Sequence, residues 1–395
     1  MSKFSGRLGL VLVLTLLLTG CWDNVRVSEA HFITAVGIDK DSDGLYEVTL
    51  EFPTPLLTGQ SKGRDRDEGG GEHKSVAIVS AKGDTIYTAG RSMSEKLARR
   101  IVPSKMELLI VCEKVARDGI LEILDFMERQ QDTNMVANIL LVKGATAKEL
   151  MEAQSQQEKI PSQHIKKTIK IDQNNLGTSK EARVIDILKD ISTPGKDPLL
   201  PVVEIKQDSD LLKVEDLFIS GSAVFKDGKL VGYFDGFQTR SWLLVENKST
   251  RGLYSVPLPE VEGKFAVFEL SMAKATKKVE FLQNNKPKFI IELKVIGNIG
   301  ESQISIDLTE PERLASFEAQ VAQIIREEIE RTLVTSQQYQ TDIFGFGSLV
   351  HKKHLAQWRE LQNNWSELYS EAPYEIKVEV SIKRSGYTRK APEPK

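Results

Sequence analysis

The sequence predicts an α+β protein of mixed α/β layers whose last part is an antiparallel sheet covered by long helices. Three observations carry this. Apolar, strand-like runs alternate with segments of helical periodicity through the first half. Two dipeptides, Asp43-Gly44 and Asp227-Gly228, stand between alternating segments as hairpin turns. Two long helical patterns then precede a closing strand. At 395 residues, 40% hydrophobic and 28% charged, the chain is long enough for two or three domains.

Residues 1–20 carry Lys3 and Arg7 and no acid, followed by an apolar run from Leu8 to Leu18. That is the layout of a secretory signal peptide. The run is too short to cross a bilayer, which needs about 20 residues. It leads into Leu18-Thr19-Gly20-Cys21, which resembles the bacterial lipobox. Cleavage is expected between Gly20 and Cys21, with an S-diacylglyceryl group, and N-palmitoyl, on Cys21. An ordinary signal peptide with an incidental Cys21, or an uncleaved anchor, is the competing reading. The apolar run, the small residues and the cysteine fall in one register, which favours lipid. Cys112, the only other cysteine, then has no partner and reads as a small buried hydrophobe. Losing Lys3 and Arg7 takes the formal net charge from −3 to −5. A mixed, mildly acidic surface offers no footprint for nucleic acid. No second stretch approaches spanning length, so the body is expected to be soluble and to stand on its lipid.

The elements follow in order. Residues 31–38 and 45–52 read as a hairpin. Residues 59–74 are nearly free of apolar side chains and read as a mobile loop. Strands at 75–80, 106–112 and 136–142 alternate with helices at 84–100, 119–130 and 146–154, and a further helix fits 179–191. Pro194, Gly195, Pro198 and Pro201 then mark a boundary. Short strands follow at 218–225 and 229–234, then at 264–274, 279–282 and 289–296. The four residues Thr309-Glu310-Pro311-Glu312 fit a capping box that opens a long helix. Its stripe includes Leu314, Phe317, Val321, Ile325 and Ile329. A second helix at 350–369 aligns Trp358, Leu361, Trp365 and Leu368, and the last strand is 374–383. The domains are therefore read as 21–198 (α/β), 199–262 (strand-rich) and 263–388 (α+β), with a tail at 389–395.

Few motifs suggest chemistry. Asp39-Lys40-Asp41-Ser42-Asp43-Gly44 satisfies the first half of a calcium loop, but the bidentate position falls on Leu50 and the flanks read as strands, so a solvated hairpin turn is preferred. His351 and His354 stand at i, i+3, a spacing metals use, yet two lysines separate them and no third ligand is near. Gly221-Ser222 and Gly347-Ser348 lack the spacing of a nucleophile elbow. The acids fall mostly at solvent-facing helix and turn positions. No metal, cofactor or catalytic residue is assigned. Asp342-Ile343-Phe344-Gly345-Phe346-Gly347 interleaves two aromatics with two glycines and reads as a tight helix-to-helix corner with buried rings, a partner-contacting edge being the other reading.

Several segments together resemble one family. They are Gly20-Cys21-Trp22-Asp23, Ala35-Val36-Gly37-Ile38-Asp39, the hairpin 223–232, Thr239-Arg240, Arg251-Gly252, Ser255-Val256-Pro257, and residues 342–347 followed by His351-Lys352 and Trp358. This order over nearly the whole chain is similar to the Ger(x)C family, the lipoprotein C subunits of nutrient germinant receptors in endospore-forming bacteria. The resemblance implies an elongated, three-domain lipoprotein that is not an enzyme. It implies anchorage at the outer face of the spore inner membrane, with A and B membrane subunits as partners and a part in nutrient-triggered germination. The long polar segment 59–74 departs from the family pattern. The alternative is a solute-binding lipoprotein of a transporter, which needs two similar lobes around a cleft; a cortex hydrolase stands third.

Overall fold

The computed structural model describes residues 29–54, 75–153, 160–207, 215–259, 261–283, 285–304, 307–308 and 310–384. The signal segment 1–20, Cys21, the expected loop 59–74 and the tail 389–395 lie outside the described residues.

The first part of the chain runs β1 (Ala30–Phe32), β2 (Ala35–Lys40), β3 (Tyr46–Pro53), β4 (Val76–Gly83), α1 (Ile86–Ser92), β5 (Arg100–Val102), β6 (Leu108–Cys112), α2 (Glu113–Asp118), α3 (Leu121–Arg129), β7 (Asn138–Lys143), α4 (Ala147–Glu152), α5 (Pro161–Asn175) and α6 (Val184–Ser192). Next come β8 (Leu199–Gln207), β9 (Glu215–Lys226), β10 (Lys229–Phe234), α7 (Gly236–Val245), β11 (Gly252–Pro257), β12 (Phe265–Phe281) and β13 (Pro287–Ser302). The chain closes with α8 (Pro311–Gln338), α9 (Phe346–Lys353), α10 (Leu355–Leu361), α11 (Trp365–Glu371) and β14 (Tyr374–Arg384).

Local chemistry sets many of these bounds. Capping boxes open α1 (Thr85 with Thr88), α4 (Thr146 with Glu149) and α7 (Asp235 with Gln238), each satisfying two orphan backbone donors. Asp41 accepts the amides of Asp43 and Leu45, which shapes the β2–β3 turn. At the β9–β10 turn Asp227 and Gly228 both have positive φ, 51° and 78°, as a two-residue type I′ hairpin requires.

An eight-stranded sheet has the order β10-β9-β8-β7-β6-β2-β3-β4. Its centre, β8-β7-β6-β2, is parallel, and an antiparallel hairpin extends each side. The central strands are buried along their length, as parallel strands covered on both faces must be. A four-stranded sheet has the order β11-β12-β13-β14, and β1 pairs with β5 in a small parallel ribbon. This is the α+β architecture read from the sequence.

The structure corrects several details. The segment 199–262 does not form a strand-rich domain of its own. Strands β8–β10 extend the first sheet, β11 joins the second, and Pro201 lies inside β8, next to a shift in its register with β9. Alternate residues divide these strands between two cores: Leu200, Ala223 and Phe225 face the first, while Leu199, Val224 and Phe234 face the second. The last sheet is antiparallel only in part, because β14 returns beside β13 in the parallel direction after the helices cross over. The expected helix 84–100 stops at Ser92, and residues 100–102 find a ladder partner in β1. Strands 264–274 and 279–282 are one continuous strand, β12. Helix α8 starts with Pro311 at N1 and Glu310 as N-cap without a side-chain cap bond, so no capping box forms on Glu310; Thr309 is outside the described residues. The helix at 350–369 is broken at His354, whose φ/ψ of −136°/58° is not helical.

Candidate functional site

The most elaborate polar arrangement lies where the two cores meet. After α8 the chain turns at residues 341–345 and enters α9. Gly345, at φ 66°, supplies the left-handed residue of the turn. The side chains of Phe344 and Phe346 are fully buried, and Phe346 stacks on Phe289 at 4.2 Å and 8°. The carboxylate of the buried Asp342 accepts the amides of Phe346 (3.0 Å) and Gly347 (2.6 Å), and the indole N–H of Trp365 (3.0 Å). It thus caps the first turn of α9 and ties that helix to α11.

A loop from the first part of the chain docks against this corner. Asp197 accepts the amide of Asp342 at 2.8 Å and donates its own amide to the Asp342 carbonyl at 3.0 Å. The Ser348 amide donates to the Gly195 carbonyl at 3.1 Å. Gly195 has φ 65°, and a Cβ on it would lie 2.5 Å from Gly347 Cα, so the two backbones touch. Trp242, from α7, sits beneath and donates its indole N–H to the Ile343 carbonyl at 2.8 Å. Two ammonium groups, of Lys180 and Lys248, each lie 4.8 Å from its ring. Lys180 is fully buried and donates to the Leu199 carbonyl at 2.7 Å. Lys196 pairs with Asp190 at 2.8 Å, while Lys277 bridges Glu246 and the Phe344 carbonyl.

Burial dominates the electrostatics. It pushes Asp342 up to about 6 and Asp197 up to about 7, and it lowers Lys180 to about 7. The charged groups are engaged by backbone amides and by one another. Such an arrangement fixes the two cores in one relative position.

The residues singled out from the sequence are placed as follows. Residues 342–347 form a buried helix-to-helix corner, as their glycines and aromatics indicated. The carboxylates of the calcium-like segment diverge. Asp39 is buried and accepts the amides of Ala147 (2.8 Å) and Lys148 (3.1 Å) at the start of α4, whereas Asp41 pairs with Lys82 at 2.8 Å. His351 packs on Trp358 and His354 on Phe281, at ring distances of 5.8 Å and 5.4 Å, so each imidazole has its own aromatic neighbour. Among the described residues no three His, Cys, Asp or Glu side chains converge for a metal, and no helix is long and apolar enough to cross a membrane. Cys112 is buried and unpaired. Sequence reading missed Trp242, Lys180 and Asp197. The only available sign was the run of prolines and glycine at 194–201, which reads in the sequence as a domain boundary.

Comparison with known proteins gives these residues a setting. A family model described as spore germination protein N-terminal domain matches residues 23–205, and one described as spore germination B3/GerAC like, C-terminal, matches residues 220–386. The chain belongs to the Ger(x)C family of spore germination proteins. Among its relatives, spore germination protein KC of Bacillus subtilis (strain 168) is 26% identical over 390 residues, covering 95% of each chain. Spore germination protein GerQC of Bacillus cereus is 22% identical over 380 residues, covering 96% of this chain and 98% of the relative. The crystal structure of the GerBC protein shares the fold, with a TM-score of 0.57 at 17% identity, over 88% of this chain and 96% of that one. In this Ger(x)C chain the buried junction draws on both matched segments: Lys180, Gly195 and Asp197 come from one, and Trp242, Asp342 and Gly347 from the other.

Proposed function

We propose that this Ger(x)C chain is a lipid-anchored, non-catalytic subunit of a nutrient germinant receptor. Cys21 carries the diacylglyceryl anchor after cleavage behind Gly20, and holds the body at the outer face of the spore inner membrane beside the A and B membrane subunits. The observation that carries this reading is the pair of family matches, in order, beginning at residue 23, two residues past Cys21. A diacylglyceryl group supplies the two chains that stable attachment requires. The buried junction supports a scaffold role, since its charges hold backbone segments in register.

Deletion of the gene is expected to abolish germination in response to particular nutrients and to leave other germination routes intact. Affinity capture from spore membranes is expected to recover two integral membrane partners. Cys21→Ala is expected to release the chain or block its processing. Loss of solute uptake in growing cells, with normal germination, would overturn the proposal.

A further inference from the structure

A second feature, remote from the junction, has the character of a ligand site. Helices α1 and α3 straddle one face of the first sheet and leave a gap of about 290 Å³ between them, close to the size of small-ligand pockets. Its floor is apolar and comes from β2, β3 and β6, including Val36, Ile38, Leu50 and Leu109; Phe126 and Met127 of α3 form one wall. Protein interiors seldom leave voids much larger than a water molecule.

Gly90 lines the other wall, in the middle of α1. Its φ is not positive, so the backbone there does not call for glycine. A Cβ built on it meets no atom within 4 Å. Glycine is the poorest helix former after proline. Its presence at this position, facing open space, keeps the gap empty at the expense of the helix.

The mouth is polar and basic. The Nε of Arg91 donates to the Tyr87 hydroxyl at 3.1 Å, and its guanidinium lies 5.2 Å from the Tyr87 ring. Among the described residues no carboxylate pairs with Arg91, and its remaining donors fit a carboxylate or phosphate. Arg100 also lines the gap, and Asp132 is the one acid in the lining. Arg100 opens β5, which pairs with β1, so the mouth lies beside the point where the described chain begins. Glu29 follows Cys21 by eight residue steps, a reach of at most about 29 Å.

We propose that this gap binds the apolar chain of an anionic amphiphile, with the hydrocarbon between α1 and α3 and the head on Arg91. A membrane lipid and a free fatty acid share that chemistry. Access to the bilayer rests on the lipidation of Cys21 proposed above; the pocket itself does not.

The test is photolabelling of the full chain reconstituted in vesicles. One arm carries a diazirine-tagged acyl chain on phosphatidylglycerol, and the other adds diazirine-tagged dodecanoate to phosphatidylcholine vesicles. Label is expected in peptides spanning 86–94 and 121–133. Gly90→Leu is expected to cut it roughly tenfold or more while leaving the thermal midpoint unchanged or higher. Arg91→Gln is expected to remove the advantage of dodecanoate over dodecanol as competitor, roughly a tenfold effect. Label from the lipid arm alone identifies the membrane as the source, and label from dodecanoate alone identifies the free acid. Loss of only the lipid arm in Cys21→Ala would show that the tether supplies access. Retention of both arms in Cys21→Ala would count against the tether, not the pocket. No label from either probe, or label undiminished in Gly90→Leu, would overturn the proposal.

Discussion

Asp197 and Asp342 hold each other twice across 145 residues: the amide of Asp342 donates to the Asp197 carboxylate at 2.8 Å, and the amide of Asp197 donates to the Asp342 carbonyl at 3.0 Å. Two buried acids so close share the cost of ionising, and this bears on stability.

Both acids have folded-state pKa values raised by burial, to about 7 for Asp197 and about 6 for Asp342. The folded state therefore binds more protons than the unfolded state between the ordinary carboxylate range and about pH 7. Their contribution to stability is present at low pH and lost as pH rises through that window. Asp197→Asn keeps an acceptor for the Asp342 amide and removes one titration. The difference in thermal midpoint between Asp197→Asn and the unmodified chain is expected to grow in favour of the variant from pH 4 to pH 7. A difference independent of pH would refute this.

Lys180 gives the opposite sign. Burial lowers its pKa to about 7, so between about pH 7 and 10 the unfolded state binds more protons and the contribution of Lys180 improves with rising pH. Lys180→Met preserves length and removes the charge. Denaturation at pH 7 and at pH 9.5 is expected to show a smaller gain on raising the pH for the variant than for the unmodified chain.

Asp342→Ala leaves three donors, on Phe346, Gly347 and Trp365, buried without an acceptor. At about 1–3 kcal/mol for each orphaned group, partly relieved by relaxation, the expected loss is about 3–5 kcal/mol. Urea titration at pH 7 measures it, and Trp365, 6% exposed, is expected to report the change by fluorescence.

Gly195→Ala places a methyl 2.5 Å from Gly347 Cα on a backbone at φ 65°. Strain and overpacking add, and the expected cost is about 2–4 kcal/mol. Gly44→Ala is the control: it shares the positive φ, at 86°, but meets open space, so only the backbone term of about 1 kcal/mol is expected. Equal costs at the two sites would remove the argument that backbone contact at the junction matters.

Much of the fold was legible because its signals are local. The Asp43-Gly44 and Asp227-Gly228 turns, the apolar strands β6 and β7, and the Phe317–Ile329 stripe of α8 each declare themselves within a dozen residues. Pairing between distant segments does not. Nothing in residues 374–384 says that β14 will run parallel to β13, because the direction depends on the helices that carry the chain across. Lys180 looks like a surface residue on a polar segment, and only the fold reveals that Leu199 and Trp242 enclose it. Helix α5 was overlooked since its buried side chains, Ile165 and Ile169, stand among lysines and glutamines. The corner at 342–347 was readable as a shape from its glycines and rings. Its energetic centre, Asp342, was not, because the indole of Trp365 and the carboxylate of Asp197 come to it only in space.

The division of β8 and β9 between two cores carries a consequence for errors. In an ordinary half-buried strand a slip of one residue exposes one apolar row and hides one polar row. Here Ala223 and Phe225 belong to one core and Val224 to the other, so the same slip would push the bulky ring of Phe225 into the space built for Val224, and damage both cores at once. The segment has a single tolerable register, and a nascent chain that misses it gains from neither side.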